Sequence, residues 1–133
     1  MTAEDLMEEQ ETELIYVMIP GNLGPMDRGD LFEDPLDDEL QRTELGYVSG
    51  GGSSLGDEQP DGTRQVEFCG IDVEALNLDK TLEMLRGHLP GLECPIGTQL
   101  HYRKEDEPLQ DEFDGTSWLI GQPRTMMHPG FGI

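Results

Sequence analysis

The sequence predicts an α+β domain: a four-stranded antiparallel sheet, ordered 4-1-3-2 by chain position, with two helices on one face. Three observations lead there. Short apolar runs and helix-start signals follow one another as strand, helix, strand, strand, helix, strand. The second and third runs flank Pro60-Asp61-Gly62, a turn sequence that makes them a hairpin. The first and third runs, the most apolar, fall at the centre of such a sheet, while the glycine-rich second run falls at an edge, where a weak strand is tolerated.

The first strand is predicted over residues 14–19, where Ile15, Tyr16, Val17 and Ile19 are stopped by Pro20-Gly21. A long loop then runs over residues 20–33. Asp34 reads as a helix N-cap with Pro35 at the first helical position, and Asp37, Asp38 and Glu39 lie where the helix dipole favours negative charge. That helix is expected to end near Leu45, with Gly46 as the residue after its cap. Tyr47-Val48 opens the edge strand, and residues 64–73 form the third. There Val66 and Phe68 are out of phase with Ile71 and Val73, which predicts a bulge at Cys69-Gly70. The second helix is capped by Asn77, carries Leu78, Leu82, Leu85 and Leu89 at helical spacing, and stops at Pro90-Gly91. The fourth strand covers residues 98–103, with Leu100 and Tyr102 on one face and His101 on the other. This βαββαβ order is the split βαβ, ferredoxin-like arrangement. Residues 1–12 read as a disordered acidic leader, 13–104 as the folded domain, and 105–133 as an acidic linker with a C-terminal tail. Trp118 and the tail could cover the second sheet face, as could a second subunit.

With 29 acidic against 8 basic residues, the formal charge is -21, which repels phosphate backbones and anionic lipid. The expected partner is therefore a basic protein, with no nucleic acid and no membrane; the chain is expected to be a monomer or homodimer. Hydrophobic residues make up 35% of the chain, low enough to predict that part of it stays unfolded. Cys69 and Cys94 have no metal-binding spacing and read as free thiols of a cytoplasmic protein. No basic or long apolar N-terminal segment suggests a signal peptide, and no stretch is long enough to span a membrane.

The stretches Asp30-Leu31-Phe32-Glu33-Asp34-Pro35-Leu36, Gly46-Tyr47-Val48-Ser49-Gly50-Gly51-Gly52-Ser53 and Cys69-Gly70-Ile71-Asp72-Val73 together resemble small bacterial domains of ferredoxin-like fold and uncharacterised function. The resemblance spans roughly residues 14–103. It implies the fold and a bacterial origin, and carries over no activity or site.

Candidate sites are few. Gly50, Gly51, Gly52, Ser53 and Ser54 could present backbone N–H groups and hydroxyls to an anion, although no helix or lysine follows, as a phosphate cradle requires. Asp27, Asp30, Glu33 and Asp34 lack calcium-loop spacing, and Arg28 among them could pair with one of the carboxylates. Asp72 and Glu74 alternate with apolar residues and predict a carboxylate row on the helix-free sheet face. Together with His101 and Trp118 they form the expected partner surface. His88, His101 and His128 lie in separate segments. Cys69 and His101 are expected to be one strand apart, and no nucleophile motif is present. No catalytic, cofactor or metal residue is assigned. The expected function is a non-enzymatic protein-binding module, such as an immunity-type or regulatory inhibitor of a basic partner. The alternative is a small-molecule, metal-binding or enzymatic domain walled by the loop at residues 20–33 and the Gly-rich strand.

Overall fold

The structure, a computed structural model, describes residues 11–21 and 23–124. Most of the expected leader and the end of the tail, with Met126, Met127, His128 and Phe131, lie outside the described residues. The chain begins with β1 (Glu13–Pro20) and passes through an α-helical turn (Pro25–Arg28) and a π-helical turn (Gly29–Glu33) into helix α1 (Asp34–Arg42). Strands β2 (Gly46–Glu58) and β3 (Arg64–Ala75) follow, then helix α2 (Leu78–Gly91) and strands β4 (Gln99–Lys104), β5 (Glu107–Phe113) and β6 (Trp118–Pro123).

All six strands join one antiparallel sheet in the order β2-β3-β1-β4-β5-β6. This corrects the expected four-stranded ferredoxin-like fold: the protein is an α+β structure with a six-stranded sheet and two helices among its described residues. The segment read as an acidic linker holds β5, and β6 follows it. Two features hid β5. Its inward positions are Leu109, Asp111 and Phe113, so a carboxylate interrupts the apolar alternation. The β4–β5 turn, with Lys104 opposite Glu107, is Glu105-Asp106 rather than a glycine-bearing pair. Both turn residues take positive φ, 53° and 65°, the tight-hairpin geometry that asparagine and glycine usually supply. Arg103 Nη1 donates to the Asp106 carbonyl at 2.9 Å and braces the turn.

One core lies between the sheet and the helices. Ile15, Val17 and Ile19 of β1, Cys69, Ile71 and Val73 of β3 and Leu100 of β4 pack with Leu36 and Leu40 of α1 and Leu82, Leu85 and Leu89 of α2. Each such aliphatic side chain contributes about 1.5–3 kcal/mol on burial. The Asn77 side chain accepts from Lys80 N–H at 3.0 Å and caps α2 as expected. Asp34 makes no such cap. The backbone at Glu33 is already helical because the preceding loop is wound into the α and π turns, which place Phe32 in the core. At the other end of α1, Glu44 takes the positive φ of 57°. Gly46 instead lets β2 run close over the Glu74 carbonyl, where a Cβ would collide.

The predicted bulge at Cys69-Gly70 is absent: β3 pairs with β1 in unbroken register from Phe68 to Ala75. The irregularities lie in the β2–β3 pairing: β2 carries an extra residue after Val48 and after Leu55, and between Ser54 and Leu55 the extra residue is Glu67 of β3. The conflicting phase resolves differently. Ile71 and Val73 face the helices, while Phe68 turns to the other side with Gly70, whose missing side chain is replaced by the Tyr16 ring from β1.

Three substitutions test these backbones. Gly70→Ala forces its Cβ into the Tyr16 ring and lowers unfolding free energy by about 1–3 kcal/mol, the range for overpacking. Gly52→Ala, with nothing within 4 Å, stays within about 0.5 kcal/mol of the parent in the same urea titration. Replacing Glu105-Asp106 by Asn-Gly relieves two left-handed acidic residues and raises stability by about 1 kcal/mol, read as a shift in denaturation midpoint at constant slope.

Candidate functional site

A cleft opens between α2 and strands β4 to β6. Its volume is about 410 Å³, and Asp79, Glu83, Arg86, Tyr102, Lys104 and Ile120 are among its walls. Behind three of its lining residues, Arg86, Tyr102 and Gly121, lies Asp111, a carboxylate with no exposed surface. Arg86 places Nε at 2.8 Å and Nη2 at 2.7 Å from Asp111 Oδ2. The Tyr102 hydroxyl donates to Oδ1 at 2.7 Å, and the Gly121 N–H donates to the same oxygen at 2.9 Å. Four donors from α2, β4 and β6 thus meet one charge, which a desolvated carboxylate requires. Trp118 completes the junction: its Nε1 donates to the Arg86 carbonyl at 2.9 Å and its ring lies 5.1 Å from that of Phe113.

In the cleft the Tyr102 hydroxyl is a hydrogen-bond donor. Burial, followed by the hydrogen bond to Asp111, pushes the Tyr102 hydroxyl up to about 12, so it stays protonated at neutral pH and cannot act as a base. Arg86 is held by Asp111, and Lys104 Nζ reaches Asp79 at 3.0 Å. Sequence reasoning missed this site, yet it left a trace. Arg86 lies within the apolar stripe Leu82, Leu85, Leu89, and Asp111 lies within the apolar alternation of β5. Two opposite charges in buried phases are complementary misfits.

The two segments expected to wall a ligand site are packed against each other. Glu33, at the end of the π turn, reaches over β2 until its carboxylate occupies the space a Cβ would fill at Gly51. Arg28 Nε holds that carboxylate at 2.6 Å, so the expected pairing of Arg28 is made with Glu33. Gly50, Gly51 and Gly52 lie in the ladder opposite Asp72, Ile71 and Gly70, and Ser53 and Ser54 continue that backbone pairing with Cys69 and Phe68. A carboxylate over the central glycine repels an anion. Among the described residues no group of three His, Cys, Asp or Glu side chains could hold a metal ion.

The four residues of the expected partner surface fall on two faces. Trp118 sits with α2 on the helix side. Asp72, Glu74 and His101 belong to the other face. There Tyr16, Met18, His101 and Gln110 are buried, and Asp72 and Glu74 half-buried. Glu74 accepts from Thr12 Oγ1 at 2.8 Å. His101 Nε2 lies 2.7 Å from Gln99 Oε1, and Gln99 Nε2 donates to Glu112 at 2.7 Å, which assigns the His101 proton to Nε2. Cys69, on the helix side, is separated from His101 by the sheet itself. Cys69 and Cys94 are both free and buried, and burial pushes both thiols up, away from reactivity.

Comparison with protein-family models, curated proteins and solved structures finds no match to this chain.

The Asp111 network gives a graded prediction. Asp111→Ala strands the Arg86 guanidinium and lowers unfolding free energy by about 3–5 kcal/mol. Tyr102→Phe removes one bond to a charged acceptor and lowers it by about 1.5–3 kcal/mol. The folded chain keeps the Tyr102 proton up to about 12, whereas the unfolded chain releases it near 10.0. This contribution is complete below the lower value and disappears as pH rises through the higher one. The stability difference between parent and Tyr102→Phe therefore narrows across that interval, as denaturant titrations at stepped alkaline pH would record.

Proposed function

We propose that this protein is a non-enzymatic binding module for a basic protein partner, of the kind represented by an immunity-type or regulatory inhibitor. The observation that carries this reading is where the cations go. Of the 8 basic residues, four, namely Arg28, Arg42, Arg86 and Lys104, are ion-paired to the chain's own Glu33, Glu39, Asp111 and Asp79. Arg103 and Arg124 bond to backbone carbonyls. Half of the cations are thus engaged by the chain's own carboxylates, and the formal charge of -21 remains as an acidic surplus. Such a field speeds encounter with a cationic surface and disfavours nucleic acid and anionic lipid. Among the described residues no helix is long and apolar enough to cross a membrane. Two unbridged cysteines suit the reducing cytoplasm.

A second reading rests on the cleft beneath α2, whose volume of about 410 Å³ falls within the usual range for small-molecule sites. Its polar walls, with Asp79, Glu83, Arg86 and Lys104, would hold a small polar ligand.

Affinity capture from a lysate of the source organism, at low and high salt, separates the two. One dominant basic protein, retained at low salt and weakened at high salt, is the expected result. No captured protein at either salt, with a saturable rise in melting temperature on adding a small molecule, would replace the first reading with the second.

A further inference from the structure

We propose that the apolar groove at the C-terminal end of β1 is the docking point for the basic partner, and that it takes one large apolar side chain flanked by lysine or arginine. The inference rests on the basic-partner reading and adds where contact is made and by what chemistry. The groove, about 250 Å³, is bounded by Leu23 and Leu31 on one side and Glu93 and Pro95 on the other, over Ile19 and Phe32. Ile19 and Phe32 are core residues, so the floor is fixed by packing rather than assembled on binding. Its volume lies below the roughly 300–1,000 Å³ of ordinary small-molecule pockets, so a single side chain is the better occupant.

The rim is unusual in two ways. First, exposed large apolar side chains gather in the segments that build it: Met26 is 80% exposed, Leu31 52% and Ile96 70%. Single exposed apolar residues need no explanation, but an exposed leucine in the wall of a fixed apolar depression, with two more exposed apolar residues in the adjoining segments, marks an interaction surface. Second, its charges are of one sign. Asp27 and Asp30 on the helical turns and Glu93 on the α2–β4 connection are exposed carboxylates, and no lysine or arginine lines the groove. The nearest cation in the turn, Arg28, is held by Glu33. An apolar depression with one carboxylate, Glu93, in its wall and two more, Asp27 and Asp30, exposed in the turns that carry Leu31 matches an apolar anchor between cations: the anchor supplies desolvation and the cations orientation.

The test uses the full chain, isotopically labelled, and the peptide acetyl-Gly-Lys-Lys-Leu-Phe-Lys-Lys-Gly-amide, with a control in which Ser-Gly replaces Leu-Phe. Near physiological ionic strength the Leu-Phe peptide is expected to bind about ten-fold more tightly than the control. Amide shifts should be concentrated in residues 19–23, 29–33 and 92–96. Leu31→Asp should reduce that binding about ten-fold, with folding checked by the fluorescence of Trp118. The triple change Asp27→Asn, Asp30→Asn, Glu93→Gln leaves the groove intact and should weaken both peptides. Equal binding of the two peptides, or shifts elsewhere on the surface, would overturn the groove while leaving the basic-partner reading in place. Binding of neither peptide, even at low salt, would overturn both.

Discussion

A single buried carboxylate governs how half of this structure is assembled. Asp111 has no exposed surface, and placing a carboxylate in that position costs several kcal/mol before any partner is supplied. Its four donors come from α2, β4 and β6, so the cost is offset only when all three are in place. This constrains the rotation of α2. Leu82, Leu85 and Leu89 must face the core while Arg86, on the same stripe, reaches the acid. It also constrains β6, whose Gly121 takes φ +69° as its N–H reaches Oδ1. Trp118 then bonds to the carbonyl of the same Arg86, so the helix residue that neutralises the charge also anchors the edge strand. Removing any donor leaves the others facing an under-satisfied ion, which is why a buried polar network behaves as a unit.

The opposite edge is governed by close approach. Two glycines of β2 stand where neighbours occupy the space a side chain would fill: the Glu74 carbonyl at Gly46 and the Glu33 carboxylate at Gly51. The π turn makes the second contact reachable, turning Phe32 into the core and Glu33 over the strand. The edge is covered for part of its length, since Asp37 of α1 accepts the Val48 N–H at 2.8 Å. A capped and partly covered edge is a poor template for pairing with a second sheet.

These two edges mark what the sequence could and could not convey. The capped helix at Asn77 was legible because its signals are local: one side chain bonding a backbone group three residues on, and leucines at a fixed period. The facing of Leu100, Tyr102 and His101 was legible for the same reason, since alternation along one strand needs no partner. The extent of the sheet was not. β5 disguises its alternation with Asp111, and its turn is built from acidic residues held in left-handed geometry. Reading Asp111 as a core residue requires knowing that Arg86 stands opposite, a pairing across 25 positions. Similarly, Gly46 suggested a helix end and Gly51 an anion cradle, because a glycine records only that a side chain is missing. What fills the space is set by a distant element.

The same network bears on how an acidic chain can select a partner. Charge steers an encounter, but its reach under physiological salt is about 8 Å and it scarcely distinguishes one cationic surface from another. Discrimination needs shape, and shape needs groups that do not move. In this protein cations and glycines are used internally to fix such groups in place: Arg86 under α2 on Asp111, Arg28 and Glu33 over Gly51. The second of these lies in the helical turns that carry Met26 and Leu31. Holding Arg28 on Glu33 therefore does two things at once. It fixes the turn that presents Met26 and Leu31, and it neutralises a cation that would oppose a basic partner there.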